Sequence, residues 1–134
     1  MTVPPIWDTQ VRQLALSRKE REAYVGFYDQ FNGGRPRTIH RVGGYPDCIQ
    51  PHDPKLEAQM VSHGLDCGDL SSYKIVKKRG LWVGASDWQL LLQVDSEKKA
   101  HMMWGDVGRV YFLIHRTDLE QRRFDRTWLV FQCH

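Results

Sequence analysis

Apolar positions in the C-terminal half repeat every second residue. In DWQLLLQVDS (87–96), Trp88, Leu90, Leu92 and Val94 would face one side of an extended chain, and Gln89, Leu91, Gln93 and Asp95 the other. GRVYFLIHR (108–116) divides in the same way, with Val110, Phe112 and Ile114 opposite Arg109, Tyr111, Leu113 and His115. TWLVFQC (127–133) is a third β-rich run, and RGLWVG (79–84) and AHMMW (100–104) predict two more strands. Between the second and third main strands, HRTDLEQRRF (115–124) predicts a short helix with a capping box from Thr117 to Glu120.

Towards the N-terminus the period lengthens to that of a helix. Tyr24, Phe27, Tyr28 and Phe31 share one side of a segment that opens with a capping box, Ser17 to Glu20, and stops at Asn32-Gly33-Gly34. This aromatic stripe is expected to be core. A shorter turn capped by Asp8 carries Val11, Leu14 and Leu16. In DPKLEAQMVSHG (53–64), Asp53 is the expected N-cap, Pro54 the first helical residue and Gly64 the stop, with Leu56, Met60 and Val61 buried. The intervening stretch, 35–54, is rich in proline and glycine and predicts an ordered loop. The fold class is therefore α+β, an antiparallel sheet of about five strands with N-terminal and inserted helices packed on it. One domain is expected over 1–134, a helical segment (1–34) followed by an α+β core (35–134).

A chain of 134 residues can bury a real core without staples. No apolar run approaches a membrane span, and MTVPPIWDTQVRQ lacks the pattern of a signal peptide. Cys48, Cys67 and Cys133 are odd in number with no CxxC, so the expected location is the reducing cytoplasm. The net charge of +3 is a mild excess. Lys74, Lys77, Lys78 and Arg79 form one basic group and Arg116, Arg122, Arg123 and Arg126 another, the latter cancelled in part by Asp118, Glu120 and Asp125. Nucleic-acid binding through Lys74 to Arg79 ranks below a solvated charged face.

HRVGGYPDCIQ, WQLLLQVDS, MMWGDVGRVYF and DLEQRRFDRTWLVFQC, in this order and spacing, resemble the YwqG-like family of bacterial proteins of unknown function over residues 38–133. The resemblance implies a cytoplasmic α+β protein without an assigned activity, and an immunity or accessory role in bacterial conflict. Family members are longer, and the charged helical segment up to Phe31 stands where their N-terminal half would be. A sheet built to continue into that half would expose an edge or an apolar face, which a second copy or a different protein would cover.

Asp106, between Gly105 and Gly108 in WGDVG, suits a tight turn better than acid-base work, which needs a second titratable group nearby. His40, Tyr45, Cys48, Gln50 and His52 crowd the 35–54 loop, where His40 and Gln50 are expected to satisfy loop backbone. Cys48-x3-His52 and His63-x3-Cys67 have the ligand types of a zinc site but not its usual tight knuckles. Gln93 and Gln132 interrupt apolar strands and predict a shared polar network beneath the sheet. Trp82, Trp88, Trp104 and Trp128 are expected in the core. These features predict a binding protein with His40, Tyr45, Gln50, Gln93, Trp104 and Asp106 at its working surface. They imply no catalytic set, metal or cofactor, and a protein partner, the same chain or another. The alternative is a hydrolase using Asp106 with His40 or His101.

Overall fold

The computed structural model describes residues 3–32 and 38–134. Strands β1 (Arg41–Val42), β2 (Trp88–Asp95), β3 (Arg109–His115) and β4 (Trp128–Gln132) form one antiparallel sheet in that order. Helices α1 (Thr9–Gln13), α2 (Arg18–Asn32), α3 (Pro54–Ser62), α4 (Leu70–Arg79) and α5 (Arg116–Glu120) accompany it. The protein is α+β, with four strands among the described residues rather than about five.

Capping placed several helices as expected. Asp8 accepts from Gln10 N at 2.8 Å, Asp53 from Lys55 N at 2.9 Å, and Ser17 N donates to Glu20 Oε2 at 2.8 Å. Gly64 takes φ +72° after α3. In the Asn32-Gly33-Gly34 stop, Asn32 ends α2, while Gly33 and Gly34 lie outside the described residues, as do loop positions 35–37.

Four expectations need correction. The run RGLWVG is no strand: Gly80 ends α4 at φ +65°, and Leu81–Asp87 coils into a 3-10 helix against α3. There a Cβ on Gly84 would stand 2.4 Å from Gln59 Nε2, so glycine permits the close approach. The run AHMMW contributes one bridge, Glu97 to Met102. The Thr117–Glu120 capping box does not form, because α5 already starts at Arg116 and Thr117 Oγ1 meets His115 Nδ1 at 2.9 Å. The α2 stripe is only partly packed: Tyr24 donates to Pro4 O at 2.7 Å and Tyr28 meets Trp7 edge-on, but Phe27 and Phe31 are exposed.

The fifth correction concerns which way β2 faces. Register slips between Leu90 and Leu92, leaving Leu91 as an extra residue opposite β3. Trp88 and Leu90 point inward, but beyond the bulge Gln93 and Asp95 take that face, while Leu92 and Val94 turn outward. Inner rows run Leu90–Leu113–Trp128, Gln93–Tyr111–Val130 and Asp95–Arg109–Gln132. Outer rows run Val42–Leu92–Phe112–Leu129 and Val94–Val110–Phe131. Ala58 of α3 packs on the inner face with Trp88, Leu90, Tyr111, Leu113 and Val130. Leu56 and Val61, expected inside α3, are half-buried, and Lys55, Glu57 and Gln59 are buried instead. Of the tryptophans, Trp88 is core, whereas Trp82 and Trp128 are exposed and Trp104 is half-buried.

Candidate functional site

The inner face changes character along its length. Its Trp88 end is apolar and meets α3, while its other end is polar and meets the loop over residues 38–53. A loop crossing a sheet face loses water from its amides and carbonyls, and each needs a replacement partner. An amide side chain offers both a donor and an acceptor, and two glutamines supply them. Gln93 Oε1 accepts from Asp47 N at 2.8 Å, and its Nε2 donates to Ile39 O at 2.9 Å. Gln132 Oε1 accepts from Ile49 N at 3.1 Å and Gln50 N at 3.3 Å, and its Nε2 donates to His52 O at 2.9 Å. Both glutamines are fully buried. The network lies beneath the sheet, as two glutamines in apolar strands predicted, and its chief effect is to fasten the loop.

A buried ion triad completes the fastening. Arg109 Nη1 donates to Asp47 Oδ2 at 2.6 Å and also to the Asp47 carbonyl, and Nη2 reaches Asp95 Oδ2 at 2.8 Å. Asp95 also accepts from Ile39 N at 2.8 Å and Ser96 N at 2.9 Å. Burial alone would lower the Arg109 pKa; the Asp95 hydrogen bond and the charges of Asp47 and Asp95 outweigh it and raise it. Tyr111 Oη donates to Asp47 O at 2.9 Å.

Where the loop enters α3, acidic groups are buried. Burial pushes Asp53 up to about 6 against the opposing Lys55 N–H bond, and pushes Glu57 up to about 7 against the Gln132 hydrogen bond at 3.2 Å. Burial, with the nearby Asp53 charge, drives the Cys48 thiol far up, which suppresses the thiolate a nucleophile needs. Lys55 forms a buried ion pair with Asp8 at 3.1 Å, its Nζ 4.7 Å from the Tyr45 ring centroid. A cavity of about 350 Å³ opens beside this cluster, lined by Trp7, Arg12, His52, Asp53, Leu56 and Trp82 among others. A second groove, about 600 Å³, runs past His63, Trp88, His115, Asp118 and Trp128.

The six expected binding residues do not converge on one point. Exposed His40 accepts from Asp95 N through Nδ1 at 3.3 Å, beside the buried Gln93. Tyr45 Oη donates to Gln10 at 3.2 Å, and Gln50 Nε2 donates to Cys133 O at 3.0 Å. Trp104 and Asp106 lie in the β2–β3 connection, which Ser96 organises: its Oγ donates to Gly108 O at 2.8 Å and accepts from Trp104 N at 3.0 Å. Asp106 is exposed, and its carbonyl accepts from His134 N at 3.2 Å. Among the described residues no hydrogen bond links its carboxylate to His40 or His101. Asp106→Ala is accordingly expected to change stability by no more than about 0.5 kcal/mol by urea denaturation, as for an exposed turn residue.

The cysteine–histidine pairs also stay apart. Cys48 Sγ accepts from Trp7 Nε1 at 2.9 Å, His52 stacks on Tyr73 at 4.5 Å, and His63 Nδ1 lies 2.9 Å from Gln59 O. Among the described residues no three histidine, cysteine or acidic side chains form a group able to hold a metal ion. Lys74, Lys77, Lys78 and Arg79 are exposed on α4, the last three in its final turn, where they complement the helix dipole. Arg116 and Arg123 pair with Asp87 at 3.6 Å and Asp118 at 2.5 Å. Sequence reasoning missed Trp7, Asp47, Asp53, Asp95 and Arg109 as site residues. Arg109 and Asp95 had a signal, since both occupy alternating strand positions that one buried face would take in.

The fold is thus a sheet with a hydrogen-bonded loop locked onto one face and an apolar opposite face. Residues 3–133 match the family described as a domain of unknown function, DUF1963, and the chain belongs to it. The match includes α1 and α2, which precede the stretch from residue 38 that carries the sequence resemblance. No curated protein matches the chain. No helix among the described residues is long and apolar enough to cross a membrane.

Proposed function

We propose that this is an interaction protein working through the outer face of its sheet, and that the occupant of that face is a second copy of the chain. One observation carries the reading: Val42, Leu92, Phe112 and Leu129 sit directly opposite one another across all four strands. Val42 is 86% exposed, Leu129 55%, Phe131 45% and Leu92 37%. Those four side chains bare on the order of 400 Å² of apolar surface, the size of patch that marks interaction sites on folded chains. Doubled across a two-fold axis and extended by a rim, it approaches the roughly 1,000 Å² that a specific interface needs.

Charge favours self-association. The rows Val42–Leu92–Phe112–Leu129 and Val94–Val110–Phe131 consist wholly of apolar residues and the third, Gln89–Ile114, carries no charge, so a charged partner would find nothing along them to pair with. A two-fold contact sets the face against itself and needs no such pairing, and interfaces between identical chains are the more apolar kind. The three cysteines are unpaired, in keeping with the reducing cytoplasm as the proposed location.

Sedimentation equilibrium at tens of micromolar tests this directly. The wild type is expected to dimerise, and Leu129→Lys or Phe131→Lys to weaken dimerisation at least about tenfold with an unchanged circular dichroism spectrum. A wild-type monomer throughout that range would reject self-association.

A further inference from the structure

We propose that the turn over residues 104–108 belongs to the contact between copies of the chain, with Val107 as its anchor; this rests on the self-association reading above. The turn lies against the end of the outer face. Gly105 takes φ +53°, and a Cβ there would stand 2.7 Å from Phe131 Cζ. A Cβ on Gly108 would stand 2.8 Å from Cys133 Cβ, so glycine at both positions lets the backbone approach β4. Val107 breaks that pattern. Its φ of +47° is equally left-handed, a conformation that strains a β-branched residue and suits glycine or asparagine. The residue is 52% exposed, so little packing within the chain offsets the strain. In the same turn Trp104 Nε1 is buried with no hydrogen-bond partner among the described residues. Joining β2 to β3 requires neither feature. A strained apolar side chain held in water is accounted for by a contact outside the chain.

Area favours a second copy as the occupant. Met103, just before the turn, is 53% exposed, and with Val107 it bares on the order of 200 Å² of apolar surface. Added to the exposed side chains of the outer rows, this gives about 600 Å² per copy. Two copies would then bury about 1,200 Å², more than the roughly 1,000 Å² that a specific interface needs. A two-fold contact brings the same turn from both sides, so the rim that the sheet face lacks is supplied twice. Asp106, the one charged residue of the turn, is exposed and stays in water at the edge of the contact.

Val107→Asn separates strain from contact, because asparagine accepts the left-handed backbone but offers no apolar surface. By sedimentation equilibrium at tens of micromolar, Val107→Asn is expected to weaken dimerisation at least about tenfold. In a Leu129→Lys background, where both proteins are monomeric, the same change is expected to raise the melting temperature by about 3 °C. A melting temperature that falls or stays put would mean that valine serves packing inside the chain, and would overturn the proposal. Dimerisation unchanged by Val107→Asn but lost in Leu129→Lys would also overturn it, while the reading of the sheet face would stand. A monomeric wild type would remove both.

Discussion

Arg109→Met is expected to destabilise the protein by roughly 3 to 5 kcal/mol, measured by urea denaturation at neutral pH. Arg109 is buried between Asp47 and Asp95, and methionine would take from both carboxylates, in a dry site, the guanidinium that spans them. The cost comes less from the lost attraction than from keeping those carboxylates buried once the guanidinium is gone. The triple variant Arg109→Met, Asp47→Asn, Asp95→Asn should therefore recover part of the loss, because neutral amides can be buried where lone carboxylates cannot. Arg109→Lys should recover little, since an ammonium cannot reproduce the fork that spans both acids. Because Arg109 also holds the Asp47 carbonyl, hydrogen exchange should quicken first at Ile39, Asp47 and Ile49, the loop amides hydrogen-bonded to the sheet's side chains. A cost below about 1 kcal/mol for Arg109→Met would mean that the triad does not hold the loop.

The second large effect is a stability that falls as pH rises. Glu57 has an ordinary pKa of 4.5 and is pushed up to about 7 in the folded chain, chiefly by burial. Asp53 moves in the same direction, from 3.8 to about 6. Between these limits the native state holds protons that the unfolded state has released, so ionisation works against folding. This contribution is complete below the unfolded pKa and is lost as pH climbs through the folded one. For Glu57 the loss amounts to roughly 3 kcal/mol across the window. Glu57→Gln is expected to match the wild type near pH 4 and exceed it by about 2 to 3 kcal/mol at pH 8. The glutamine can still accept from Gln132, and the difference between the two curves removes every other titrating group. Equal slopes for both proteins from pH 4 to 8 would refute the assignment.

Much of the local architecture was legible because caps are local. Asp8, Ser17 with Glu20, and Asp53 with Pro54 each act within one helical turn, and each appears where expected. Helix α4 carries the same local signals, Asp69 at its start and Gly80 after its end. Of the candidate site, Gln93 and Gln132 were legible as buried polar groups needing partners. The 38–53 loop that supplies those partners, and the cavity at Asp53, join residues tens of positions apart and leave no periodic trace.

The amino-acid sequence by itself determined where helices begin, which segments are extended and which polar residues could not be buried alone. Each follows from backbone stereochemistry or hydrogen-bonding capacity within a few residues. Only the tertiary structure decided which side of each strand is covered, since the bulge at Leu91 reverses the facing of β2 and exposes Leu92 while burying Gln93. It also decided that RGLWVG coils rather than extends, because the contact between Gly84 and Gln59 belongs to two elements at once. Burial and close approach are properties of pairs of distant segments, and no local pattern contains them.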